Sequence, residues 1–249
     1  MVKIGIIGGS GLDNPDMLQD PEQLEVTTEY GDPSSPLMSG TIGGVRVLML
    51  ARHGRNHQYS PTQVNNRANI KALKNSGATH ILATTACGSL RQKIDRGHLV
   101  VLDQFIDFTR FRKTSFVDSF ENGPVHTAMA HPFDDGLRCS LFENAKQLGL
   151  QVHEKGCVVT IEGPRFSTVA ESKMFRLWGA DVINMSTAPE AILANEAGIP
   201  YAAVAMSTDY DCWKEDEAPV TWAQILEVFH QNADNVKQLL VKVIGTFKK

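Results

Sequence analysis

The stretch YAAVAMSTDYDCWKE, residues 201–215, decides the fold. Tyr201 to Met206 is apolar throughout, without the alternation of a half-wet strand, so it reads as a strand covered on both faces. It then changes character. Two carboxylates, Asp209 and Asp211, arrive with Tyr210 between them and Trp213 just beyond. Acids at the end of a buried strand call for a chemical reason, because open α/β sheets collect ligands outside the carboxyl ends of their strands.

Working outward, apolar bursts of strand length at residues 3–7, 45–51, 80–84, 99–102, 158–161 and 181–185 alternate with amphipathic helical stretches, the pattern of a sheet with helices on its faces. NRANIKALKNSG reads as a helix closed by Gly77, and DDGLRCSLFENAKQLG as one closed by Gly149. Thr168 with Glu171, and Thr187 with Glu190, fit the capping box, and Gly179 and Gly198 end those helices. Residues 222–244 carry Ile225, Val228, Phe229, Val236, Leu239, Leu240 and Val243 at helical spacing. YGDPSSPLMSG, residues 30–40, reads as a turn-rich loop. With no repeat, linker or low-complexity tract, the expectation is one α/β domain spanning residues 1–249.

Composition excludes several classes of function. A chain of 249 residues, 42% hydrophobic and 21% charged, can bury a large core. Its net charge of -4 argues against nucleic-acid and membrane-surface partners, which demand a concentrated basic face. Cys87, Cys139, Cys157 and Cys212 are far apart and form no CxxC pair, so they read as reduced thiols in a cytoplasmic protein. MVKIGIIGGSG lacks the apolar length and cleavage site of a signal peptide, and no run reaches the ~20 apolar residues of a membrane helix.

Four strand ends offer donors to an anion. KIGIIGGSG ends in glycines that let backbone N–H groups converge, with Ser10 adding a hydroxyl, yet it fits neither the dinucleotide fingerprint nor the P-loop. LARHGRNH delivers Arg52 and His53, followed by Arg55 and His57. Arginine matches phosphate and histidine can add a donor; two histidines four apart also suit a metal, and an exposed basic turn is the plain alternative. ATTACGSL supplies Thr84, Thr85 and Ala86; VINMSTAPE supplies Ser186 and Thr187, of which capping explains one hydroxyl and leaves the other for a ligand. Donors at four strand ends suggest one small anion held from several sides, provided that the ends converge.

GIIGGSGL, LARHGR, TTACGSL, IEGPRFST, AESKMFRLWGADVINMSTAPEA and STDYDCWKE together closely resemble the 5′-methylthioadenosine phosphorylases of the trimeric purine nucleoside phosphorylase family, over residues 2–243. The resemblance implies a twisted mixed central β-sheet flanked by helices, and a phosphorolysis that releases adenine and 5-methylthioribose 1-phosphate in purine and methionine salvage. It implies phosphate contacts from Ser10, Arg52, His53, Thr85, Ala86 and Ser186, with Met185 under the ribose and Phe166 and Ser167 beside the base. It implies a homotrimer in which His126 reaches a neighbouring subunit's site. Phosphate would be a co-substrate, with no cofactor and no metal. Asp209 would share a proton with purine N7 while accepting from the 6-amino group, its pKa raised by desolvation, and Asp211 would support it. Val220, Trp222, Ile225 and Leu226 would line the 5′ subsite. Trp222 stands where a valine is usual, which keeps a preference for adenosine as an alternative; a 6-oxopurine nucleoside such as methylthioinosine is the other, and Asp209 counts against it.

Overall fold

In the computed structural model, which describes residues 1–9, 15–121, 123–217 and 221–247, the chain runs β1 (Lys3–Gly8), β2 (Gln19–Leu24), β3 (Leu37–Ile42), β4 (Val45–Ala51), α1 (Asn66–Asn75), β5 (His80–Ser89), β6 (Leu99–Val101), β7 (Gln104–Phe108), α2 (Asp135–Gln147), β8 (Val152–His153), β9 (Cys157–Ile161), α3 (Val169–Leu177), β10 (Val182–Asn184), α4 (Thr187–Glu196), β11 (Tyr201–Tyr210) and α5 (Trp222–Gly245). The strands form one mixed sheet. β4, β1, β5 and β11 are parallel neighbours, whereas β10, with β9 and β7 parallel beyond it, meets β5 antiparallel.

The reading of residues 201–206 as a doubly covered strand holds. Tyr201, Ala203 and Ala205 pack into a core with Ile70 and Leu73 of α1 and Ala191 and Leu193 of α4. Ala202, Val204 and Met206 face the opposite way, onto Leu137 and Leu141 of α2 and Phe229, Val236 and Leu240 of α5. A period of two with both phases apolar is what two helical layers require.

Several boundaries differ from the sequence reading. β5 and β11 run on to Ser89 and Tyr210, so residues expected in loops lie within the sheet. Residues 37–40, read as part of a loop, open β3. β2 carries the polar sequence QDPEQL on an exposed edge; pairing with β3 holds it in extended form, and no apolar periodicity marks it. β7 and β8 were likewise unmarked. The capping box of Thr168 and Glu171 forms. That of Thr187 and Glu190 does not: Ser186 is the N-cap of α4, its side chain makes no cap bond, and Glu190 is fully buried elsewhere.

The sheet branches at β5. β1 holds one edge of β5 from His80 to Ala83. β10 takes up that edge only at Gly88 and Ser89, while β11 lies along the other edge. Thr84 to Cys87 are thus left without a strand on one side, and backbone groups there need other partners.

α5 closes one face of this sheet through Phe229, which is 1% exposed. Phe229→Ala is expected to lower unfolding free energy by about 3–5 kcal/mol, read by denaturant titration; a loss below about 1 kcal/mol would show that α5 is not docked through this ring.

Candidate active site

A cavity of about 550 Å³ opens on the unpaired edge of β5. At the level of Thr84, where β1 and β4 end, it is lined by Gly9, Arg52, His53, Thr85, Ala86 and Ser186. Arg52 follows β4 directly and is buried. Its Nε donates to Glu190 Oε1 at 2.5 Å, Nη2 to Glu190 Oε2 at 3.1 Å, and Nη1 to the Thr84 carbonyl at 2.9 Å. The branch in the sheet thereby finds its donor. Gly9 is glycine because a Cβ there would lie 2.9 Å from Arg52 Nη1 and 3.3 Å from the Thr84 carbonyl.

His53 differs from the donor expected of it. Its Nδ1 lies 2.9 Å from the Tyr59 carbonyl, and since a carbonyl only accepts, Nδ1 carries the hydrogen. Burial first, and then the charge of Arg52, lower its pKa to about 4. At neutral pH, therefore, Nε2 presents a lone pair, suited to a protonated phosphate oxygen. The His57 ring stacks beside it at 4.6 Å, but among the described residues no group of three or more His, Cys, Asp or Glu gathers into a metal site.

The hydroxyls at this corner are set by a residue the sequence reading missed. Asn184, buried at the end of β10, donates from Nδ2 to Thr85 Oγ1 at 3.2 Å and to Thr187 Oγ1 at 2.6 Å, and accepts from Thr160 Oγ1 at 2.9 Å. Thr187 is thus the engaged hydroxyl, and Ser186, within 3.3 Å of Thr85 Oγ1, is the one left for a ligand.

Three residues beyond Thr85 on β5, about 10 Å away at ~3.3 Å per residue, Gly88 pairs with Asp209 of β11. The register slips between Ser207 and Asp209, and this bulge brings two consecutive side chains, Thr208 and Asp209, to the cavity wall. A Cβ on Gly88 would lie 3.3 Å from Asp209 Oδ2. Thr208 Oγ1 is 2.7 Å from Asp209 Oδ1 and 3.2 Å from the Cys87 carbonyl. Asp209 is raised to about 6, chiefly by burial; the Thr208 hydroxyl pulls it down and the charge of Asp211 adds to the rise. Asp211 accepts from Ser167 Oγ, 2.7 Å from both carboxylate oxygens, and so ties the loop after β9 to the end of β11.

Phe166, Met185, Ile161 and Pro164 also line the cavity, as do Tyr59, Ser60, Pro61 and Ile225. Arg112, another residue the sequence reading missed, donates to the Met185 carbonyl at 3.1 Å and to Glu162 at 2.9 Å. Of the expected residues, Leu226 is half-buried but lies outside the cavity lining, Ile225 being the face of α5 turned to it. His126 is exposed, packed on Phe120 and away from its own chain's cavity. Ser10, Val220 and the Trp222 side chain lie outside the described residues. The four cysteines are free, and among the described residues no helix is long and apolar enough to cross a membrane.

Residues 3–245 match the sequence pattern of the Phosphorylase superfamily. A Xenopus tropicalis protein named S-methyl-5'-thioadenosine phosphorylase is 54% identical over 247 residues, 98% of this chain and 88% of that one. A Drosophila melanogaster protein of the same name is 49% identical over 251 residues, 100% of this chain and 87% of that one. The solved structure of methylthioadenosine phosphorylase from Schistosoma mansoni with adenine superposes with a TM-score of 0.94 at 40% identity, over 99% of this chain and 92% of that one. A mutant of the adenosine/methylthioadenosine phosphorylase from that organism, in complex with methylthioadenosine, gives a TM-score of 0.93 at 40% identity, over 99% and 91%. With a match that takes in every strand of the sheet and a superposition over nearly all its length, this chain belongs to the phosphorylase superfamily.

Proposed function

We propose that the protein cleaves 5′-methylthioadenosine with inorganic phosphate, giving adenine and 5-methylthioribose 1-phosphate. The observation that carries this reading is the raised pKa of Asp209 in the same cavity as Arg52, Thr85 and Ser186: a proton donor at one end and oxyanion donors at the other. Phosphate, held by Arg52, Thr85, Ser186, the Ala86 backbone and Ser10, attacks C1′ while the C1′–N9 bond breaks and its electron pair goes to the purine. Asp209 delivers its proton to N7. The proton that monohydrogen phosphate releases on becoming the sugar ester balances the one the base retains. The bound anion also stabilises the oxocarbenium-like sugar as the bond lengthens, an interaction strongest in the transition state. Met185 and Phe166 flank sugar and base.

Protonated Asp209 can donate to N7 and accept from the 6-amino group at once, which favours adenine; a 6-oxopurine presents an acceptor where a donor is needed. Phosphate is the only co-substrate, with no metal or organic cofactor. The working assembly is a homotrimer in which His126 enters a neighbour's site. Its exposed place beside Phe120, itself 54% exposed, supports that reading. Free thiols support a cytoplasmic location.

Adenine release from the purified protein is expected to require phosphate and to be fastest from methylthioadenosine, slower from adenosine and slowest from methylthioinosine. Phosphate-independent release would overturn the mechanism, and a preference for methylthioinosine would overturn the base assignment. Asp209→Asn should lower kcat/KM for methylthioadenosine by about 10²–10⁴ and narrow the gap to the 6-oxo compound.

The same carboxyl group sets a pH-dependent stability. Its folded pKa, about 6, exceeds an unfolded value of about 3.9, so the folded state binds the proton more tightly. The stabilisation is complete below about pH 4 and is lost as pH rises through 6. Relative to wild type, Asp209→Asn should therefore gain up to about 3 kcal/mol of unfolding free energy between pH 4 and pH 7.5. A difference that stays flat over this range in denaturant titrations would show that folding does not raise the Asp209 pKa.

A further inference from the structure

Glu190 is a charged residue with no exposure, in the first turn of a helix whose neighbours Ala188, Ala191, Leu193 and Ala194 are all buried. It caps nothing and does not line the cavity. Its carboxylate instead grips the side of the Arg52 guanidinium through both oxygens, Oε1 to Nε and Oε2 to Nη2. Tyr201 Oη, 1% exposed at the start of β11, donates to Oε2 at 2.9 Å. Of the five N–H groups of an arginine, Glu190 takes two and the Thr84 carbonyl one, which leaves two for a ligand.

We propose that Glu190, oriented by Tyr201, is a positioning residue for phosphate: it fixes the rotation of the Arg52 fork so that the two remaining N–H groups face the oxyanion subsite. The proposal rests on the reading of Arg52 as a phosphate ligand. Two considerations carry it. An arginine side chain gripped on one side by a bidentate carboxylate has a defined plane, whereas one held by a single carbonyl could turn about that bond. The pair is also neutral as a unit, so the subsite would recognise phosphate by directed hydrogen bonds rather than by an excess of positive charge. Burial opposes the charged guanidinium, and Glu190 and Tyr201 together more than offset it; the cation is therefore ready before phosphate arrives, and its geometry is what Glu190 adds.

The test is steady-state kinetics of wild type, Glu190→Gln and Tyr201→Phe, varying phosphate and methylthioadenosine separately, with thermal shifts by phosphate alone and by adenine alone. Gln keeps the shape but can accept on only one atom. Its KM for phosphate should rise at least tenfold, with KM for the nucleoside changed less than twofold, and phosphate should no longer raise the melting temperature while adenine still does. Tyr201→Phe, which removes one hydroxyl from a carboxylate that keeps both arginine contacts, should show the same split at two- to fivefold. A merely structural ion pair would lower the melting temperature and the active fraction without separating the two KM values, and that result overturns the proposal, as would tighter or unchanged phosphate binding. Should Glu190→Gln not fold, the split or its absence in Tyr201→Phe decides. If wild type needs no phosphate, it is the functional reading that fails; if wild type needs it and the variants bind it normally, only the role of Glu190 fails.

Discussion

The site depends on one unpaired edge in the middle of a sheet. β5 is long enough to serve two parts of the sheet, paired to β1 in its first half and to the antiparallel β10 only at its end, with β11 along its other side. Between them, the backbone from Thr84 to Cys87 has no strand against that edge. A buried carbonyl cannot be left without a donor at acceptable cost, and the Arg52 guanidinium answers it at Thr84. Arginine has five donors, so satisfying the backbone still leaves capacity for a ligand. The interruption that costs the sheet a few ladder bonds is what places a cation, two hydroxyls and a close-approaching glycine around one point.

Bringing Arg52 inside creates its own requirement. An unpaired buried cation is costly, and removing one partner of such a pair is far worse than never having had it. Glu190 is the response, and Tyr201 in turn occupies Glu190. The chain of dependence runs from the sheet branch to Arg52, to Glu190 and to Tyr201, which lies at the start of the same β11 that presents Asp209 near its other end. One strand thus supports both halves of the proposed reaction. Because its two faces are packed under α4 and under α2 and α5, neither end can shift without disturbing a core at native density.

How much of this was legible follows from which signal each residue carried. The strand ends were visible because glycine, hydroxyl and arginine residues break apolar runs, and the cavity does bring Arg52, His53, Thr85, Ala86, Ser186, Asp209 and Asp211 together. β2 was invisible: its residues are polar and exposed, and only β3 makes it a strand. The lengths of β5 and β11 were underestimated because Thr, Ser and Asp read as loop residues, although here they are sheet residues facing a ligand cavity. Glu190 was mistaken for a capping acid because its spacing from Thr187 fits that motif. A signal against capping was present in TAPEAILANE: nearly every neighbour of Glu190 is apolar, so the helix has little wet face, and an acid there needs a buried cation. Asn184, one amide inside an apolar strand, carried the same kind of signal. The proton placement on His53 could not have been read from sequence, since it depends on which carbonyl the ring meets.

The two ends of the cavity handle charge in opposite ways, and each way suits its chemistry. At the end that holds Arg52 the protein buries a charge and cancels it in place with Glu190, so that, on the proposed reading, phosphate binding relies on direction and the anion keeps most of its own charge to stabilise a cationic sugar. At the end proposed for the purine it makes the proton easier to keep: burial raises Asp209 to about 6, Asp211 adds a second penalty on ionisation, and the Thr208 hydroxyl lies 2.7 Å from the carboxyl, placed to donate to it once the proton has gone. In the proposed reaction, departure of the base leaves a carboxylate that Thr208 can hydrogen-bond, while the purine gains the proton it needs to leave. A bulge that puts Thr208 beside Asp209 on the same wall is therefore part of the acid, because it supplies the partner that the ionised form requires and the protonated form does not.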